Sequence, residues 1–69
     1  MTASIARVTT ISARSTESFD DAVKAGISRA SETLRGVSGA WIKEQKVELS
    51  NGQISNYHVV LEVTFVLDD

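Results

Sequence analysis

The run Ala40-Trp41-Ile42-Lys43-Glu44-Gln45-Lys46-Val47-Glu48-Leu49-Ser50-Asn51-Gly52-Gln53-Ile54-Ser55-Asn56-Tyr57-His58-Val59-Val60-Leu61-Glu62-Val63-Thr64-Phe65-Val66-Leu67 decides the fold. At its centre, Asn51-Gly52 sits between two stretches that alternate apolar and polar residues, which is the strongest short-range hairpin signal. Asn and Gly tolerate the positive φ angles that a tight two-residue turn requires. The second arm, Ile54 to Leu67, alternates over a span well beyond the usual five or six residues. A strand of that length is expected to pair in part beyond its own subunit. One of its faces carries Tyr57, Val59, Leu61, Val63, Phe65 and Leu67 and reads as the core face. The other carries Asn56, His58, Val60, Glu62, Thr64 and Val66.

A two-residue turn predicts the cross-strand pairs. Leu49 faces Ile54, Val47 faces Asn56, Gln45 faces His58, Lys43 faces Val60, and Trp41 faces Glu62. In this register all of these residues lie on the face turned away from the core. That face presents Trp41, Val47, Leu49, Ile54, Val60 and Val66 among polar groups. So much apolar area on so small a protein marks an interaction surface.

Upstream of the hairpin, residues 4–13 centre on Val8-Thr9-Thr10-Ile11 and read as a further strand. Ser15-Thr16-Glu17-Ser18 then carries helix-start signals. Ser18 with Asp21 three residues later resembles a capping box, and the acids suit the positive end of a helix dipole. Phe19, Ala22, Val23, Ile27, Ala30 and Leu34 recur at helical spacing, with Asp20, Lys24, Ser28, Ser31 and Arg35 opposite. A helix over about 18–35 follows, with Gly36 as its stop signal. The expectation is one α+β domain over residues 1–69, β-α-β-β, with a three-stranded antiparallel sheet partly wrapped around one helix.

Composition limits what such a domain can do. A 69-residue chain buries only roughly 60% of the surface its unfolded form exposes. Small domains compensate with disulfides, metals or association. There are no cysteines and one histidine, His58, so disulfides and a multi-histidine metal site within one chain are out, and association is expected. A site where several copies of His58 meet at a symmetry axis stays open. The net charge of −2, with lysines and arginines scattered, argues against nucleic acid. No apolar stretch approaches the ~20 residues of a membrane span, and Met1 to Arg7 lacks the apolar core of a signal peptide. A soluble cytoplasmic protein is the expectation.

Several stretches together resemble the dodecins, over nearly the full length. They are Ser15-Thr16-Glu17-Ser18-Phe19, Arg29-Ala30 with Thr33-Leu34-Arg35, and Tyr57 to Leu67. The resemblance implies a hollow homododecamer with helices outside and sheets wrapping inward. It also implies flavins (riboflavin, FMN or FAD) stacked between symmetry-related tryptophans at subunit interfaces, for storage and quenching of excited states. The alternative is a dodecin-like cage without flavin, holding an ion or another small molecule, or no ligand.

Two departures bear on the ligand. In flavin-binding dodecins the stacking tryptophan follows the helix-end motif in a run like Leu-Asp-Trp-Phe-Glu. Aligned without gaps, that place is Gly39, and Trp41 comes two residues later. A shift of two keeps the side chain on the same sheet face but moves it roughly 6–7 Å along the strand. Second, His58 stands after Tyr57, where the flavin binders have a glutamine at the ring edge. An imidazole edge cannot both donate and accept as an amide does. Lys46 matches the place where some relatives carry an arginine near a ligand phosphate. Trp41, His58, Gln45, Lys46 and Gly39 are therefore the candidate cofactor-binding residues. The plainer reading of Trp41 is an interface side chain that touches no ligand, and that of His58 is a half-buried histidine satisfied by Gln45.

Glu44, Glu48, Glu62, Asp68 and Asp69 invite a cation reading, but no calcium-loop pattern accompanies them, and strand acids usually form a solvated face. Asp20 and Asp21 are explained as helix N-terminal charges. Ser15, Ser18 and His58 are the only nucleophile-and-base material, and nothing in the sequence brings them together. No catalytic or metal residues are assigned, and the expectation is a binding protein rather than an enzyme.

Overall fold

A computed structural model describes residues 3–67. The elements are β1 (Ala6–Ser15), α1 (Phe19–Thr33), β2 (Val37–Ser50) and β3 (Gln53–Val66). They form one antiparallel sheet in the order β1-β3-β2, with the long third strand in the middle. The expected β-α-β-β architecture is therefore present. Asp68 and Asp69, two of the acids weighed for a cation, lie outside the described residues, as do Met1 and Thr2.

The turn forms as its residues dictate. Asn51 has φ 53° and Gly52 φ 76°, and Leu49 faces Ile54 as predicted. The helix starts where its cap lies: Ser18 is extended, and its Oγ accepts the Asp21 N–H at 2.9 Å. The reciprocal half of the box is different from expectation. The Asp21 carboxylate accepts instead from Ser15 Oγ at 2.6 Å, which ties the helix start to the end of β1. Ser15 Oγ in turn accepts the N–H of Glu17 at 2.9 Å, so that a buried hydroxyl organises the whole β1–α1 turn. The helix ends at Thr33 with Leu34 as its cap, two residues before the predicted Arg35, and Gly36 lies in the turn that follows.

The core is small. Ala22, Ala30, Val59, Leu61 and Val63 are buried, with Ile11, Ala13, Phe19, Val23, Ile27, Leu34 and Val37 packed partly against them. Val59, Leu61 and Val63 belong to the predicted core face of β3, and Tyr57 joins it through an edge-to-face contact with Phe19 at 5.1 Å between ring centres. Leu67 does not: it lies past the end of β3 and is exposed. The helix approaches the sheet closely at Gly26, where a Cβ would meet the Leu61 side chain at 3.0 Å and that of Ala13 at 3.3 Å. A single 15-residue helix covers only part of one face of strands 14 residues long, and Ile42 and Val47 on that side of β2 stay exposed. Among the described residues the other face has no covering element, and they form a slab of 55 × 20 × 14 Å.

The middle of the β2–β3 pairing corrects the predicted register. Glu48 faces Asn56, Val47 faces Tyr57, Lys46 faces His58, Gln45 faces Val59 and Glu44 faces Val60. Trp41 faces Glu62 as predicted. Pairing shifts by one between Glu48 and Leu49 and returns between Ile42 and Glu44, leaving Ser55 and then Lys43 without an opposite residue. These are β-bulges, and each inverts which face the following side chains occupy. Gln45 and Val47 therefore lie on the helix side, and Lys46, Glu44 and Glu48 lie on the outer face. The bulge at Ser55 is anchored by its own hydroxyl, which donates to the Glu48 carbonyl at 3.0 Å.

Candidate ligand-binding face

The outer face reads as rungs across β1, β3 and β2. One rung holds Val8, Thr64 and Gly39. The next holds Thr10, Glu62 and Trp41, followed by Ser12, Val60 and Glu44, and then by Arg14, His58 and Lys46. Alternation along β3 positions all of these side chains outward, because the intervening residues Val59, Leu61 and Val63 are held in the core.

Trp41 is 54% exposed, a large apolar ring lying open on this face. Beside it, Gly39 has open space where a side chain would stand, with nothing within 4 Å of a built Cβ. Opposite Trp41, Glu62 is fixed from both neighbouring strands. Thr10 Oγ1 donates to Glu62 Oε2 at 2.7 Å, and Lys43 Nζ lies 3.9 Å from Oε1. Lys43, predicted to face Val60, is the bulged residue and reaches Glu62 instead.

His58 forms the second cluster. Neither imidazole nitrogen has a hydrogen-bond partner, and both are shielded from solvent. Arg14 and Lys46 flank it from the two outer strands. Arg14 Nε also pairs with Glu48 Oε1 at 3.0 Å, an ion pair that crosses β3 on the same face. Gln45, the predicted partner of His58, pairs with Val59 and makes no such bond: the bulge at Lys43 turns it to the other side of the sheet. Glu44, Gln45, Lys46, His58 and Val60 line a shallow depression of about 290 Å³. A larger one, about 520 Å³, lies between β1 and the helix beside Gly26 and Ala30, on the covered side. A third, about 420 Å³, lies between the helix and β2 and includes Gly39; Trp41 lines none of the three.

The predicted site residues thus fall into two groups. Gly39 and Trp41 sit together, and Lys46 sits with His58. Glu62 and His58 are four residues apart on β3, roughly 13 Å, so one subunit does not bring Trp41 and His58 to the same small ligand. Glu62, Thr10 and Lys43 are the neighbours of Trp41 that the predicted register did not assign to a ligand. Trp41 opposite Glu62 was legible in the sequence, but Lys43 came into reach only through the bulge. Among the described residues no three His, Asp or Glu side chains gather in a way that holds a metal ion, and Glu44, Glu48 and Glu62 occupy separate rungs. Nor is any helix there long and apolar enough to cross a membrane.

Among the described residues, the sheet thus has one bare face with an exposed indole upon it and no pocket lined by that indole. The chain belongs to the dodecin family: the Dodecin family model matches residues 5–68. Dodecins generally bind flavin, and dodecin homologues form multimeric assemblies. Among solved structures it is similar to dodecin from Streptomyces davaonensis, with 38% identity over 96% of this chain and 97% of that one and a TM-score of 0.90. Dodecin from Streptomyces coelicolor is 29% identical over 100% and 99%, with a TM-score of 0.91. The tt0972 protein of Thermus thermophilus is 28% identical over 97% and 98%, with a TM-score of 0.90. No curated protein matches the chain.

Proposed function

We propose that this chain forms a closed homododecamer that binds flavin (riboflavin, FMN or FAD) at its subunit interfaces, with Trp41 as the stacking platform. Its role would be storage of the flavin and quenching of its excited state, in the cytoplasm, without turnover. The observation that carries this reading is the exposed indole of Trp41 on a sheet face that nothing in the subunit covers. A flat conjugated ring laid on that indole gains about 0.5–1.5 kcal/mol beyond the area it buries. Closing the stack from its far side takes a second copy, because Trp41 lines none of the three depressions of the described residues.

Gly39 supports the same reading. In the flavin binders that position holds the tryptophan; here it is open space beside an indole one rung away, so a ring can settle over both rungs. Lys46, with Arg14 across β3, offers positive charge for a ligand phosphate, and His58 between them offers a polar edge on the same face; Gln45, turned to the helix side, has no part in it. When bound, the flavin supplies the chromophore and its excited-state chemistry. The protein's part is to stack, orient and shield it.

The test is a fluorescence titration with riboflavin and FMN on protein sized by light scattering. Near one-to-one quenching on a dodecamer-sized particle is expected. Trp41→Ala should abolish that quenching while the particle keeps its size. Undiminished flavin affinity in Trp41→Ala would remove the stacking role. A second reading, a cage whose ligand is not flavin, is favoured by the missing tryptophan at Gly39. A full-sized particle that quenches no flavin would establish it.

A further inference from the structure

Trp41 offers a surface but no polar complementarity, and a stacked ring slides unless its edge is read. The polar groups within a rung of Trp41 are therefore the ones that can choose the ligand. Glu62 is the direct cross-strand partner of Trp41. Its side chain is only 18% exposed, and its carboxylate is held in place by the 2.7 Å bond from Thr10 to Oε2. The other oxygen, Oε1, accepts no hydrogen bond among the described residues and has only the distant Lys43 ammonium at 3.9 Å, so it keeps acceptor capacity for a ligand. Lys43 is there because of a bulge. Without the extra residue between Ile42 and Glu44, regular alternation would carry it to the rung of Val60. A pre-positioned acceptor thus stands next to a half-exposed cationic donor, with an exposed indole opposite the acceptor.

Resting on the flavin reading above, we propose that Glu62 and Lys43 read the imide edge of the heterocycle stacked on Trp41, Glu62 accepting its N–H and Lys43 donating to an adjacent carbonyl. A carboxylate accepts only and an ammonium donates only, so the pair matches an edge where one N–H is flanked by C=O groups. The oxidised isoalloxazine ring has one such edge, with its single ring N–H at N3. Rings without that N–H leave a half-buried carboxylate facing them unpaired, which is how polar sites reject close analogues. His58, which the family likeness places at the ring edge, is roughly 13 Å along β3 from this rung and belongs to a different part of the face.

The experiment compares riboflavin with 3-methylriboflavin, which has the same ring and no N3–H, by titration calorimetry on wild type, Glu62→Gln and Glu62→Val. Assembly of each is checked by light scattering. Wild type should prefer riboflavin by on the order of tenfold to a hundredfold, the value of one hydrogen bond to a charged acceptor. Glu62→Gln should narrow the preference and Glu62→Val abolish it. Equal binding of both flavins by wild type, or an unchanged preference in Glu62→Val, overturns the role of Glu62 and leaves the flavin reading standing. If the Glu62 variants do not assemble, Thr10→Val, which frees the same carboxylate, must lower the preference; an unchanged preference there overturns the proposal. Wild-type protein that binds neither flavin overturns the flavin reading, and this inference with it.

Discussion

The two faces of the sheet are made from the same three strands, yet they are opposite in chemistry. The helix side buries Val59, Leu61 and Val63 against Ala22 and Ala30, with Gly26 letting the helix settle onto Leu61. The outer side has an open indole, a carboxylate held by a hydroxyl with an ammonium nearby, and an imidazole whose nitrogens meet no partner among the described residues. Burial on the first face supplies the stability of the subunit, and the second face is the one the proposed assembly would cover. Unpartnered polar atoms shielded from water are costly, and exposed apolar area on a slab this thin is costly too. Both point to the outer face as the surface that association completes.

Mutations that exchange the character of the faces test this division. The largest effect is expected from Val60→Glu, which puts an unpaired carboxylate into a face that association would cover, at a cost of several kcal/mol per subunit. Light scattering should find small species that retain the circular dichroism of folded protein. A full-sized particle would mean that this part of the face stays in water. On the helix side, Leu61→Ala removes the centre of the core and should cost about 2–5 kcal/mol in denaturant unfolding; a cost below that range would show that assembly contacts, not the core, hold the subunit together.

Smaller effects mark the borders between the faces. Ser18→Ala deletes the cap that accepts the Asp21 N–H and should lower stability by about 1 kcal/mol, leaving particle size unchanged. No change in the unfolding midpoint would mean that the Ser15 network holds the helix start without it. Arg14→Gln breaks the ion pair across β3, whose side chains are 58% and 29% exposed. Its cost should stay under about 1 kcal/mol, and a larger loss would reveal that the pair is buried in the assembly.

Where the hairpin was legible in the sequence, local rules were in charge. Asn51-Gly52 imposes the turn and with it the Leu49–Ile54 pair. Strict alternation from Tyr57 to Val63 names the core face correctly, and the Ser18 cap and the Phe19-to-Leu34 stripe place the helix within two residues at its end. Trp41 opposite Glu62 also came out as predicted, though through two compensating shifts that the sequence does not signal. Gln45 opposite His58 failed because of those shifts. A bulge needs no special residue type at Lys43, so nothing in local composition announced it.

What the sequence determined by itself is therefore periodicity and punctuation: the order of elements, the core face of β3, the turn, the helix start, and an apolar surplus that one helix cannot cover. Those follow from backbone stereochemistry and from the two-residue and 3.6-residue repeats, which are local. The tertiary structure decided which polar side chains share a face with Trp41. Two bulges, each one residue long, turned Gln45 and Val47 to the helix side and aimed Lys43 at Glu62. Since side chains alternate with a period of two, a single extra residue reverses every neighbour until another cancels it, and only the paired strands record where that happens.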